Sequence, residues 1–396
     1  MRRDLAVLGV SGAAMVVATN LTFTVAVLAP FLLADDVVSV ATLGAIPAAY
    51  YLAASSLSGP AGIVADRIGG RRAIIAMCVA NATALLALAI SPGLLVMVAA
   101  ALLGGSAMAL SNPATNLVIV SSFGPGRRGA ALGWKQAGVP VSGVVAGVVL
   151  PTLAAGLGWR GATLTAIVAP VVCAVAAGLV LPRVAGSARD DSARGKVHLG
   201  SLAGFAFLMG VAAGALNTYL VVFLVSDAGL SPTAGGLVAA AFAASAAASR
   251  VGWATLVDRL GGGRRVLLGL AVTSSLTVAL LPFASTTWSI WPTAVLAGAA
   301  VLGWQAVAQL AVVTVLPLGL VGAGSAALMR WFFAGLLSGP LLFGAFLGAS
   351  DSYAATFVAL SGSTVVAALL VALRPPAIDT RARRRWSLRN ESTVIT

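Results

Sequence analysis

Three positive charges stand inside otherwise apolar stretches of the chain: Lys135, Arg250 and Arg330. In GAALGWKQAGVPVSG, residues 129–143, Lys135 is the only charge between Gly129 and Leu157. If that stretch is a buried soluble helix, the ammonium needs a partner. If it is a membrane span, Lys135 marks a membrane edge or a polar path. Amides accompany the charges. Asn112 and Asn116, and again Gln305 and Gln309, are spaced by one helical turn and share a helix face. Cations and amides of this kind can hold and release a small polar solute. They do not make a covalent catalyst, which needs a convergent nucleophile, base or metal set. The chain has a single histidine, His198, and a single glutamate, Glu391. Neither a phosphate loop nor a zinc spacing is visible. No enzyme, ATP-driven pump, metal or cofactor is therefore expected.

The elements that would carry these residues follow from composition. Of 396 residues, 60% are hydrophobic and 9% charged, against about 25% charged in soluble domains. That is too little polar material to clothe a globule. The 45 glycines weaken isolated helices but let helices pack closely in lipid. The net charge of +13 comes as short clusters between apolar runs, with no basic helix face, so nucleic acid is not an expected partner. The two cysteines lie in apolar runs and read as small buried hydrophobes. The uncharged stretch from Leu5 to Ala34 exceeds a secretory signal's apolar core and reads as a retained first span.

A span needs about 20 apolar residues. Twelve are expected, near 5–32, 38–64, 73–91, 94–120, 129–154, 161–181, 199–225, 232–256, 266–283, 288–316, 321–349 and 352–373. With the N-terminus inside, 20 of the 24 basic residues fall on the cytoplasmic side, and the outer loops keep Arg160 with Asp35, Asp36, Asp227 and Asp351. A multi-pass protein of the cytoplasmic membrane with both termini inside is expected. Its arginine-rich tail, RARRRWSLR, anchors the topology and can touch anionic lipid.

The halves repeat. GIVADRIGGRR at 62–72 and GWATLVDRLGGGRR at 252–265 each close an apolar span, with Asp66 and Asp258, and Arg67 and Arg259, 192 residues apart. Asn112 and Gln305, and Asn116 and Gln309, are 193 apart, and Lys135 and Arg330 are 195 apart. Ordered matches at successive places predict two parallel six-span bundles, 1–181 and 199–373. Between them lies a polar linker, 182–198, and after them a basic tail, 374–396.

Over nearly its whole length the chain resembles the major facilitator superfamily of transporters. The superfamily pattern after span 2 is matched by Gly62, Asp66, Arg67 and Gly69, followed by Arg71 and Arg72. In the second copy Asp258 and Arg259 are kept and the first glycine is displaced to Gly252. The resemblance implies an all-α fold of twelve transmembrane helices and alternating access. It also implies an inner gate built on Asp66, Arg67, Arg71, Asp258 and Arg259, with Arg250 in the inner vestibule or the latch. More weakly, Lys135, Gln136, Gly138, Pro140, Gly143, Gly147 and the NPATN stretch at 112–116 resemble cyanate-permease-like members.

The substrate path is expected to use Lys135, Gln136, Arg330, Asn20, Asn112, Asn116, Asn217, Tyr219, Gln305 and Gln309, with Tyr50 and Tyr51 within reach. Lys135 and Arg330 are expected to face one cavity from equivalent places, the other reading being that each snorkels to the interface. Two cations without a buried carboxylate favour a small organic or inorganic anion as substrate. Export of amphipathic compounds and a non-transporting sensor are the other readings. Uniport, exchange and proton coupling are all compatible with the residues present, and a monomer is expected.

Overall fold

In hydrocarbon a chain must satisfy its backbone polar groups internally, which leaves helices or closed barrels. This chain forms helices. The computed structural model describes residues 2–182, 199–260, 263–284, 286–315 and 321–374. The first helices are α1 (Arg2–Ala34), the short α2 (Val40–Leu43), α3 (Ala45–Ile68), α4 (Gly70–Ala89) and α5 (Leu94–Ser122). Next come α6 (Pro125–Gln136), α7 (Gly138–Ala166) and α8 (Val168–Val180). After the linker follow α9 (Ser201–Ser226), α10 (Pro232–Leu260), α11 (Gly263–Leu280), α12 (Thr287–Val301), α13 (Trp304–Val315), α14 (Val321–Ser350) and α15 (Tyr353–Leu373). Apart from their first residues, the linker and the basic tail lie outside the described residues.

Among the described residues, eleven segments are long and apolar enough to cross a membrane. The protein is an all-α polytopic membrane protein. One segment, Ala131–Val180, runs for 50 residues, more than twice what a crossing needs. It turns at Gly158, whose φ of 69° is left-handed and favours glycine. Four expected spans are interrupted: the second at Gly44, between α2 and α3, the fifth at Ala137, between α6 and α7, the sixth at Ile167, between α7 and α8, and the tenth at Leu302 and Gly303, between α12 and α13.

Packing recurs along the chain. α1 packs on α7 as α9 packs on α14, α3 on α5 as α10 on α12, and α4 on α8 as α11 on α15. The early helices meet the late ones chiefly through α3 with α14, α7 with α10, α1 with α9 and α2 with α14. With lipid as apolar as leucine, such contacts rest on close packing. Gly147 and Gly236 show it: a Cβ on either would overlap the other's carbonyl oxygen. Hydroxyls inside the spans bond back one turn, as Ser274 does to the Leu270 carbonyl at 2.7 Å and Thr163 to that of Trp159 at 2.8 Å. This hides their polarity from the hydrocarbon.

Candidate functional site

The amide face of α5 meets the last turn of α6. Pro113 removes one backbone donor from α5, and Asn112, Thr115 and Asn116 lie one turn apart beside it. Lys135 sits in the last turn of α6, where the helix carbonyls favour a cation. Its side chain is 1% exposed. Nζ donates to Asn112 Oδ1 at 3.1 Å, Thr115 Oγ1 at 2.8 Å and Asn116 Oδ1 at 2.6 Å. An ammonium has three donors, and all three are used. Lys135 therefore neither snorkels nor points a free donor into an open cavity. It is solvated by the protein, through neutral oxygens alone. Beside it the exposed Gln136 donates from Nε2 to Asn112 Oδ1 at 3.2 Å.

The later helices hold the other two candidate cations. Arg330 is exposed and makes no hydrogen bond among the described residues, so its spacing from Lys135 does not carry over into burial. Gln305 instead accepts from Arg250 Nη2 at 2.9 Å. The arginine comes from α10 and the glutamine from the first turn of α13, just past the break at Gly303. Arg250 is half-buried as a whole, yet its Nε is buried without a partner. Gln309 is half-buried on the same helix.

Of the other expected path residues, three make contacts between helices. Asn20 donates from Nδ2 to the Ala166 carbonyl at 2.9 Å, tying α1 to the end of α7. Tyr50 donates to the Ala18 carbonyl, and Tyr51 stacks on Phe333 of α14 with centroids 6.3 Å apart. Asn217 is half-buried.

Tyr219 is fully buried at the join between early and late helices. Its hydroxyl donates to the Val40 carbonyl at 2.8 Å and accepts from the Gly44 amide at 3.1 Å. Its ring stacks on Phe343 of α14, centroids 4.8 Å apart. The side-chain hydrogen bonds that join described residues across the linker are both made by Tyr219. A Cβ on Gly44 would overlap the Pro340 carbonyl of α14. This closed end is also the end that carries Asp35, Asp36, Asp227 and Asp351. Sequence reasoning missed Val40, Gly44 and Thr115. Thr115 had a signal, three residues from Asn112 on the same face. Val40 and Gly44 had none.

At the opposite end, Asp66 is half-buried and has no partner among the described residues, and Arg67 is exposed. Arg71 reaches the Leu181 carbonyl at 3.5 Å, tying α4 to the end of α8 and not to a later helix. The side chains of Asp258 and Arg259 lie outside the described residues. No group of His, Cys, Asp or Glu that could hold a metal occurs among the described residues.

The family model of the Major Facilitator Superfamily matches residues 10–203. No curated protein matches the sequence significantly. Among solved structures, a mutant of the nucleoside transporter NupG aligns with a TM-score of 0.77 at 13% identity, over 93% of this chain and 100% of that one. A bacterial homologue of the human lysosomal transporter Spinster, inward-facing and occupied, aligns at 0.74 and 18% identity over 93% and 95%. A D-xylose–proton symporter aligns at 0.75 and 14% identity over 92% and 96%. At these identities the structures show a shared fold.

Proposed function

We infer that this chain, whose residues 10–203 match the Major Facilitator Superfamily model, moves a small solute across the membrane by alternating access, and we propose that the solute is a small anion. The observation that carries the anion is the setting of Lys135: a buried ammonium whose hydrogen-bonding partners are all neutral. A buried charge is costly until an opposite charge compensates it. Arg250 adds a second cation, bonded to an amide, with donors unspent. In this arrangement Lys135 supplies field, and Arg250 supplies the donors on which an anion can dock. Arg330, exposed at the place equivalent to Lys135, stays with this pair as a candidate path residue. The likeness to cyanate-permease-like members favours the same substrate class.

We read the helices as two parallel repeats, 1–181 and 199–373, with 182–198 as linker and 374–396 as tail. The recurring packing supports this, and the Gly158 turn divides Ala131–Val180 into two crossings, giving twelve. Lysine and arginine bias places both termini in the cytoplasm. On that orientation the Tyr219 end is external and closed, and the Asp66 end is cytoplasmic and unlatched. Asp66, Arg67 and Asp258 then belong to an inner latch that forms in the opposite state.

The test is uptake into proteoliposomes with pairs of anions and neutral analogues of matched size. Anions should accumulate, and the preference should vanish in Lys135→Gln. Equal uptake of both members of each pair, with transport intact, would exclude the anion while leaving the transporter.

A further inference from the structure

Between α11 and α15 an apolar groove of about 330 Å³ opens on the outside of the bundle, lined by Leu268, Val272, Leu276, Val365, Leu369 and Ala372 among others. Leu276, Leu369, Val272 and Val365 are each more than two-fifths exposed, so the groove faces lipid and not the solute path. It is pinned at both ends. Deep in it, Ser275 Oγ bonds Thr364 Oγ1 at 2.9 Å. At its mouth, Arg264 donates from Nε to the Val371 carbonyl at 3.2 Å and from Nη2 to that of Ala372 at 2.7 Å.

The mouth is basic, and the rest of the groove is not. Arg264 and Arg265 lie one turn before Leu268, and Arg374 ends the α15 strand of carbonyls that Arg264 caps. Arg265 and Arg374 are exposed. From Arg264 to Leu276 the helix climbs about 18 Å at ~1.5 Å per residue, close to the ~15 Å hydrocarbon depth of one leaflet. A cationic mouth on an apolar groove one leaflet deep complements an amphiphile with an anionic head and a long tail. Basic pockets between spans on the cytoplasmic side select anionic lipid heads.

We propose that the α11–α15 groove seats an acyl chain of an anionic phospholipid of the cytoplasmic leaflet, with its phosphate on Arg265 and Arg374. The site is separate from the Lys135 and Arg250 groups and does not depend on what the protein carries. Arg264 positions the mouth by holding the end of α15, so it is left intact in the test.

Full-length protein is reconstituted in phosphatidylcholine vesicles containing a minor share of phosphatidylglycerol, then extracted. Gel filtration in detergent strips lipid held by surface charge alone, and retained lipid is identified by mass spectrometry. Phosphatidylglycerol should be enriched over its bulk share. Arg265→Gln with Arg374→Gln should lower the enrichment by roughly fivefold per arginine, with the protein still monodisperse on gel filtration. Val272→Trp, which fills the groove, should abolish it. Unchanged enrichment in the double variant would overturn the headgroup assignment. Unchanged enrichment in Val272→Trp would overturn the groove as the seat.

Discussion

At the residue scale, Lys135 is a cation held by geometry without a counter-charge. Its three acceptors lie between 2.6 and 3.1 Å from Nζ, which leaves no room for a planar guanidinium in the same place. Arginine keeps the charge but needs a wider, flat fork of acceptors. Lys135→Arg should therefore reduce transport at least tenfold, in the same range as Lys135→Gln, with both proteins reaching the membrane in normal amounts. Uptake rate against abundance is the measurement, and near-normal uptake by Lys135→Arg would mean the cage is loose. Asn116→Ala removes the shortest bond to the ammonium. Hydrogen bonds to charged groups contribute about 1.5–3 kcal/mol, so a loss of the same order in stability is expected from thermal unfolding. Part of this cage was legible in the sequence. The turn spacing of Asn112 and Asn116 put two amides on one face, and the isolated lysine marked a charge inside an apolar stretch. What joined them was the packing of α6 on α5, a tertiary contact with no local pattern. By spacing the sequence paired Lys135 with Arg330; the bond between Arg250 and Gln305 is another tertiary contact and had no such signal.

At the element scale, long spans were readable because their apolar runs are long and their ends charged. Their interruptions were not. Ala137 joins α6 to α7 with helical dihedrals on both sides, so nothing in the residue type marks the joint. The closure at the Tyr219 end is likewise a matter of elements meeting. α2 and the start of α3 dock on α9 and α14 through the Tyr219 hydroxyl, and α7 docks on α10 through Gly147 and Gly236. Gly147→Leu places a side chain where the Gly236 carbonyl sits, so α7 and α10 cannot close at that level. Uptake should fall by an order of magnitude or more while abundance holds. Wild-type uptake by Gly147→Leu would show that this contact is not needed for the cycle. Tyr219→Phe removes two hydrogen bonds and keeps the ring stack on Phe343. At roughly 0.5–1.5 kcal/mol each, the contact at the Tyr219 end should lose about 1–3 kcal/mol. A cysteine pair replacing Ala41 and Gly348 reports this directly, since a Cβ on Gly348 lies 3.2 Å from that of Ala41, within bridging reach. Oxidative cross-linking of that pair should fall in the Tyr219→Phe background.

At the scale of the whole molecule, alternating access needs two packings of the same helices that differ by a few kcal/mol. Tyr219 and Asp66 sit at opposite ends of that balance. In the described conformation Tyr219 is bonded across the linker and Asp66 is not bonded to any described residue, so the two act on different states. Asp66→Asn takes nothing from this state. It should leave the unfolding temperature of the protein unchanged within the scatter of surface substitutions, about 0.5 kcal/mol. Its cost falls on the state in which the Asp66 end closes, where a carboxylate pairing with arginines or helix amides is worth about 1.5–3 kcal/mol. Cross-linking of the 41–348 pair should therefore rise in Asp66→Asn, opposite to its fall in Tyr219→Phe, and transport should slow in both. The sites are at opposite ends of long helices and share no partner, so their effects should add. The double variant Asp66→Asn/Tyr219→Phe should then bring cross-linking back between the two single variants and recover part of the transport lost by each. If it stays at the level of either single variant, Asp66 and Tyr219 do not weigh the same two states, and Asp66 does no more than fix the turn between α3 and α4.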